Sequence, residues 1–269
     1  MFDRLRELGY EIRFLSHAEA ILKQDFPEAS EELEESLVNF NIPITEIIGS
    51  GGGEALGTQR LRRSLAARKW VKTKFELVKS INGVPRESIS HEVDHVREFD
   101  YDGGKAIIAM EIEWNNKDPF FDRDLENFKR LHAEGGISVG IILTRGTALQ
   151  NGLRGLVRRF TVERNIRSFA DLEALGLEPT SRQKKIVNGR VNRKKSPLEF
   201  GEAWASHFVN DKFGQATTHW RKLMDRVDRG VGHPCPLVLI GLPTSIITFD
   251  PDARIEMVEP EEVEEESEV

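Results

Sequence analysis

The sequence is poor in cysteine and in long apolar runs. Cys235 is the one cysteine among 269 residues, which excludes a disulfide framework or a cysteine-rich zinc site within one chain. No apolar run reaches the ~18–20 residues that a membrane-spanning helix needs, and the mean hydropathy is −0.42. The first residues, MFDRLRELGYEIRF, carry charges where a signal peptide would be apolar. We therefore expect a cytoplasmic protein without a membrane segment.

Charge is distributed unevenly along the chain. The net charge is −7, but residues 250–269 hold ten acids and one arginine, so residues 1–249 carry about +2. This composition predicts a disordered tail over 250–269, after one domain over 1–249 that begins with a helical part over 1–50. Residues 182–195, RQKKIVNGRVNRKK, hold seven basic residues and no acid. Such a segment either binds phosphate or is an exposed loop kept soluble by its charge.

Strand and helix patterns alternate along the chain after an initial helical region. Apolar spacing predicts helices in LRELGYEIRFLSHAEAILKQDF and EASEELEESLVNF, and later in FFDRDLENFKRLHAEG and TALQNGLRGLVRRF. Five segments read as strands: FELVKSI, HEVDHVREF, KAIIAMEIEW, ISVGIILTR and PLVLIGLP. The turn SGGGE lacks the lysine of a phosphate-binding loop. The order predicts an α/β fold with a mixed central β-sheet flanked by helices.

Three carboxylates form the chemical signal of the sequence. Glu111 and Glu113 share one face of the strand KAIIAMEIEW, and a hairpin places Asp94 of HEVDHVREF beside Glu111. Clustered carboxylates repel each other unless a cation lies between them, and oxygen ligands favour a hard cation such as Mg²⁺. We expect Asp94 and Glu111 to bind the metal and Glu113 to take a proton from the attacking water. The alternative is a solvated acidic face.

The order of these residues resembles a known nuclease core. The pattern Asp94-x16-Glu111-x-Glu113 is similar to PD-(D/E)XK nucleases, and residues 90–150 resemble the BamHI/BglII group of type II restriction endonucleases. The superfamily usually has lysine where this chain has Glu113, a variant that the BamHI-like enzymes share. The resemblance implies a restriction-endonuclease-like core, a Mg²⁺ cofactor, and a further acid before Asp94. The sequence leaves four candidates for that acid: Glu54, Glu76, Glu87 and Glu92.

The resemblance also implies a surface that contacts DNA. In the BamHI-like enzymes the region after the catalytic strand lies against DNA, which makes Asn116, Lys117 and Arg123 candidates for DNA contact. Arg145 ends the next strand, and Arg154 shares a helix face with Arg158, so both are candidates for phosphate contact. Alternatively, Asn116 belongs to a turn and Arg123 pairs with a neighbouring aspartate. We expect His91 to support the site or face phosphate, in preference to binding zinc.

These observations predict a Mg²⁺-dependent, site-specific endonuclease of type II restriction type that cleaves double-stranded DNA. Such enzymes are usually homodimers on palindromic sites, and a cognate DNA methyltransferase would protect the host. The first alternative is another nuclease of the superfamily, acting in repair or on modified DNA. The second is a DNA-binding protein that kept the fold and lost catalysis, and the third is an unrelated α/β protein with an acidic strand.

Overall fold

The computed structural model describes residues 1–49, 53–101, 104–250 and 252–255. The chain divides into two compact units, which we call unit 1 and unit 2. Unit 1 comprises Met1–Phe40, Leu61–Gln150 and Ala216–Ser245, and unit 2 comprises Asn41–Arg60, Asn151–Gln215 and Ile246–Val269. Most of the turn SGGGE and of the predicted disordered tail lies outside the described residues. One domain over 1–249 stays a prediction.

Strands form a six-stranded mixed sheet in unit 1 and a short pair in unit 2. The strands are β1 (Glu11–Leu15), β2 (Ile42–Pro43), β3 (Val71–Ile81), β4 (Val84–Tyr101), β5 (Gly104–Glu113), β6 (Val139–Arg145), β7 (Leu237–Leu242) and β8 (Ile247–Thr248). The sheet of unit 1 has the order β1-β7-β6-β5-β4-β3. Strands β5, β6 and β7 are parallel, and the outer pairs are antiparallel. The predicted mixed central sheet is confirmed.

Helices flank this sheet, as the sequence predicted. The helices are α1 (Asp3–Glu7), α2 (Ala18–Asp25), α3 (Pro27–Val38), α4 (Ile44–Ile48), α5 (Leu56–Ala66), α6 (Phe120–Ala133), α7 (Thr147–Glu163), α8 (Phe169–Ala174), α9 (Ser181–Val191), α10 (Phe200–Lys212) and α11 (Trp220–Val227). In unit 1, α2 packs against β6 and β7, α6 packs against β5 and β6, and α11 packs against α6. No helix among the described residues is long and apolar enough to cross a membrane.

One local prediction was wrong, and one of the two alternatives for the basic segment is excluded for most of its length. The N-terminal region is not continuously helical, because Gly9 adopts a φ of 90° after α1 and Glu11–Leu15 forms β1. This segment gains the backbone hydrogen bonds of the β7 edge, which outweigh its helical spacing. The basic segment is not a simple loop, since α9 covers it to Val191.

A bulge in β4 positions the start of the site. Val71 pairs with Val96 and Thr73 pairs with Val93, so Asp94 and His95 lie opposite the single residue Lys72. A bulge of this kind re-aims side chains and occurs often beside active sites. The pairing of β4 with β5 begins with His95 opposite Met110, one residue before Glu111.

Candidate active site

Strand β5 carries its two glutamates into the protein interior. Ala109 packs in the core cluster together with residues of α6. Side chains two positions apart in a strand point to the same face, so Glu111 and Glu113 lie on the face of the sheet that α6 covers. Glu111 is 3% exposed and Glu113 is 2% exposed. The strand is therefore not a solvated acidic face, and both carboxyl groups need compensation inside the protein.

Helix α6 supplies a fourth acid, which the sequence analysis missed. Phe121, Leu125 and Phe128 form the buried stripe of this helix, and Asp124 lies on the same face with 0% exposure. An aspartate within the apolar stripe of an amphipathic helix is unusual, because a buried carboxylate is costly without a partner. That misplaced acid in FFDRDLENF was the signal that could have identified it.

Three side chains from three elements form a tight donor cluster. One ligand atom each of His91, Glu111 and Asp124 lies within 4.8 Å of the other two. The His91 Nε2 atom is 3.6 Å from Glu111 Oε1. Strand β4 delivers His91, β5 delivers Glu111 and α6 delivers Asp124. His91 thus lies at the acids, and its expected role of supporting the site or facing phosphate stays a prediction.

Asp94 lies beside this cluster but is not part of it. Its side chain is exposed at the β4 bulge. Its negative charge nevertheless contributes to raising the pKa of Glu111, so the two carboxyl groups interact. The structure therefore brings the three predicted residues Asp94, Glu111 and Glu113 to one region and adds Asp124 and His91.

Burial and mutual repulsion raise the pKa values of the buried acids. Burial raises the pKa of Glu111 well above its ordinary value, and repulsion from Asp124 and Asp94 adds to the effect. Burial, followed by repulsion from Asp124, raises the pKa of Glu113 to about 9. The pKa of Asp124 is also raised, mainly by burial. The cluster is therefore short of positive charge at neutral pH.

Arg123 offsets part of this negative charge. Its Nε donates to Asp124 Oδ1 at 2.8 Å, and a terminal nitrogen lies 3.8 Å from Glu113 Oε1. The guanidinium also lies 4.4 Å from the centre of the Phe120 ring. The alternative that Arg123 pairs with an aspartate is thus realised with Asp124. One guanidinium does not balance three buried carboxyl groups.

The donor set fits a divalent cation. His91 Nε2 and Asp124 Oδ2 are buried without a hydrogen-bond partner among the described atoms. Both residues belong to the cluster with Glu111. Carboxylate oxygens are the ligands that Mg²⁺ prefers, and one or two of them suffice when water and phosphate complete the shell. A bound cation would supply the charge that this cluster lacks.

The segment after β5, residues 116–118, contacts Glu113 and the Thr217–Thr218 segment. The Asn116 side chain donates to Glu113 Oε2 at 2.9 Å, and its backbone pairs with Thr218. Lys117 is exposed and forms an isolated bridge with Thr217. Asp118 pairs with Lys222 at 3.1 Å. Asn116 thus contacts a site carboxyl group directly, while Lys117 remains open to a ligand.

The two other predicted phosphate contacts differ in exposure. Arg145 is fully buried, and its guanidinium donates to Thr217 Oγ1 at 2.7 Å and to the Thr218 carbonyl at 2.6 Å. Burial lowers the pKa of Arg145 to about 9. From this position it holds the Thr217–Thr218 segment, and its contact with phosphate stays a prediction. Arg154, in unit 2, is half exposed and pairs with Glu202.

Three of the four acids proposed to complete the site have partners on the β3–β4 hairpin. Glu76 accepts from Ser88 at 3.2 Å, Glu87 pairs with Lys79 at 3.6 Å, and Glu92 pairs with Lys72 at 2.5 Å. Glu54 belongs to unit 2. The additional acid found in the donor cluster, Asp124, follows β5 instead of preceding Asp94.

The fold and the site together define a class. A mixed six-stranded sheet flanked by helices, with acids gathered at the end of a central strand, is consistent with a restriction-endonuclease fold. A family model described as restriction endonuclease BglII/BglIII matches residues 10–242. The chain belongs to this family, as the sequence resemblance predicted, and is a nuclease that acts on DNA. A search of the curated proteins found no match.

Proposed function

We propose that the protein is a Mg²⁺-dependent type II endonuclease that hydrolyses phosphodiester bonds of double-stranded DNA at a specific sequence. The observation that carries this proposal is the buried cluster of His91, Glu111 and Asp124, with Glu113 and Asp94 beside it. Its excess of negative charge is what a metal site for phosphate chemistry requires. It would act in the cytoplasm of a bacterial or archaeal cell.

Asp94, Glu111 and Asp124 would hold the metal. Glu111 and Asp124 present buried oxygens to one point, and Asp94 reaches the same region from the β4 bulge. A bound divalent cation supplies positive charge that polarises the scissile phosphate and lowers the pKa of water and of nearby carboxyl groups. His91 borders the same point, with its Nε2 atom turned toward Glu111.

Glu113 would move the proton of the attacking water. Its carboxyl group is held from two sides, by a hydrogen bond from the Asn116 amide and by the charge of Arg123. A base held in one orientation avoids the entropic cost of alignment during the reaction. Arg123 lies at the same carboxyl groups with half of its side chain exposed, so it can also meet the phosphate backbone.

DNA would lie along the surface that follows β5. Exposed Lys117 and half-exposed Arg123 present positive charge next to the acids, and exposed Asn116 donates to Glu113. A homodimer would match a palindromic site, with each subunit cutting one strand. A cognate methyltransferase would protect the host DNA. We keep Arg154 as a candidate for phosphate contact, since its side chain is accessible.

A panel of plasmid and phage DNAs tests this function. We expect discrete fragments with Mg²⁺, none with chelator, and a loss of at least about 10³-fold for Glu111→Gln, because it removes a metal ligand. Glu98→Gln is the control, since Glu98 is exposed on β4 and pairs with Lys105. Cleavage without discrete fragments would point to a repair-type nuclease, and unchanged cleavage by Glu111→Gln would refute the site.

Asn116→Ala tests whether Asn116 positions the catalytic base or reads DNA. The Asn116 hydrogen bond lowers the pKa of Glu113, so its loss favours the protonated carboxyl group. We expect the pH–rate profile to move to higher pH and the turnover rate to fall about 10-fold or more, with DNA affinity nearly unchanged. Lys117→Ala provides the comparison, with weaker binding and an unchanged pH profile. A loss of affinity alone in Asn116→Ala would identify a DNA contact.

A further inference from the structure

Helix α9 and the residues after it carry a group of free cations in unit 2. We call this group the α9 surface; its members are Arg182, Lys185, Arg193, Lys194 and Lys195. All five side chains are exposed, and none forms an ion pair with another described residue. No acid occurs between Glu178 and Glu199. The surface therefore has positive charge that the neighbouring sequence does not neutralise.

The helix that presents these cations is fixed in place. Thr180 and Gln183 form a capping box at its N-terminus, which satisfies two backbone donors. Val187 is fully buried, and α9 packs against α10. Two other basic residues of the helix serve the fold, since Lys184 pairs with Glu173 at 2.6 Å and Arg190 donates to the Ala203 carbonyl at 3.3 Å. The free cations are therefore distinct from the structural ones.

Like charges at this spacing are unfavourable without a ligand. Arg182 and Lys185 are three residues apart on the helix, where equal charges repel each other. Arg193, Lys194 and Lys195 follow without an intervening acid. A polyanion removes this repulsion by neutralising several cations at once and releasing its counterions. Residues 182–195 contain no aromatic side chain on which a base could stack, so the surface fits a charged backbone.

We propose that the α9 surface binds the sugar–phosphate backbone of duplex DNA independently of base sequence. This inference rests on the proposed function, because that function makes duplex DNA the ligand. The surface would supply affinity for non-cognate DNA, from which a sequence-specific nuclease reaches its site by sliding and hopping. It adds a binding role for residues outside the cluster of acids and outside the segment that follows β5.

The test compares two triple variants in the full chain. Arg182→Gln, Lys185→Gln and Arg193→Gln together form the α9 variant. Arg4→Gln, Arg6→Gln and Lys23→Gln form the control, because these residues of unit 1 are also exposed, form no ion pair with another described residue and remove the same charge. Anisotropy of a labelled non-cognate duplex is measured with chelator, which prevents cleavage, at salt concentrations from about 50 to 200 mM. Circular dichroism checks that both variants fold.

A plot of log K against log salt has a negative slope, and we expect it to be less steep for the α9 variant. Each lost phosphate contact should reduce the magnitude of the slope by about 0.9, or about 2–3 in total. Its affinity should fall at least about 10-fold at the lowest salt, while the control stays within about twofold of the wild type. Equal binding by the two variants would overturn the inference. Tighter binding by the α9 variant would overturn it as well, since the surface would then hold an anion of the chain itself, such as the acids of 256–269.

The plasmid assay separates this inference from the proposed function. If the wild type cuts DNA at discrete sites while the α9 variant binds like the control, the inference fails and the proposed function stands. If the wild type cuts no DNA while the α9 variant shows the expected loss of binding, the proposed function fails and the DNA-binding surface stands.

Discussion

Replacing Asp124 with asparagine is expected to weaken divalent-metal binding about 10- to 100-fold and to reduce DNA cleavage by at least the same factor. Asp124 is fully buried, and one of its oxygens lies within the cluster formed with His91 and Glu111. Asparagine has nearly the same shape but lacks the negative charge that attracts the metal. Titration calorimetry with Mn²⁺ measures the binding, and plasmid cleavage measures the activity.

Asp122→Asn is the matched control, because Asp122 lies on the same helix and pairs with Arg226 at 2.8 Å, away from the donor cluster. This change should leave metal binding unchanged. If Asp124→Asn binds the metal as tightly as the wild type, Asp124 is a neighbour of the site and not a ligand. Loss of cleavage with unchanged metal binding would assign Asp124 to the orientation of Glu113.

Much of the sheet and its acids could be predicted because both depend on local alternation. In MEIEW the two-residue period separates Ile112 from Glu111 and Glu113, and it holds in the structure. The spacing to Asp94 fits a hairpin, and β4 does pair with β5 in antiparallel orientation. The family resemblance inferred from this spacing is confirmed by the family match over residues 10–242.

The parts that were missed depend on tertiary contacts. Asp124 follows Glu113 in the chain by eleven positions, and only the docking of α6 on β5 and β6 brings the two carboxyl groups together. The local pattern around Arg145 did not show that its guanidinium would be buried and bonded to Thr217 and Thr218. Residues 11–15 carried helical spacing, yet the edge of β7 gave them strand partners. In each case a distant segment decided the outcome.

The β4 bulge explains how one hairpin serves both core and site. Val93 and Val96 are both fully buried although three positions apart, which a regular strand would not allow on one face. The additional residue returns Val96 to the same face as Val93, and Asp94 and His95 together lie opposite the single residue Lys72. The same irregularity therefore keeps Val93 and Val96 in the core and leaves Asp94 exposed, where its charge still acts on Glu111.

Glu113→Gln is expected to abolish cleavage and to stabilise the metal-free protein at pH 8. The pKa of Glu113 is about 9 in the folded chain, against an ordinary value of 4.5. The folded state therefore binds the proton more tightly than the unfolded state, and stability falls as the pH rises through this window. Glutamine does not ionise, and its amide can donate to Asp124. We expect a gain of about 1–3 kcal/mol in the free energy of unfolding at pH 8, which disappears near pH 4.

Thermal unfolding in chelator at both pH values measures this effect, and Glu126→Gln is the control because Glu126 is exposed and pairs with Lys129. Adding Mn²⁺ should raise the stability of the wild type, since the metal binds the folded state alone, and should raise that of Glu113→Gln as well, because Glu113 is not among the expected ligands. A metal-free Glu113→Gln protein that is less stable than the wild type at pH 8 would contradict the high pKa. If Glu113→Gln keeps the wild-type free energy of unfolding but loses cleavage, Glu113 acts as the base and its burial does not destabilise the fold. The two measurements therefore separate the chemical role of this carboxyl group from its effect on stability.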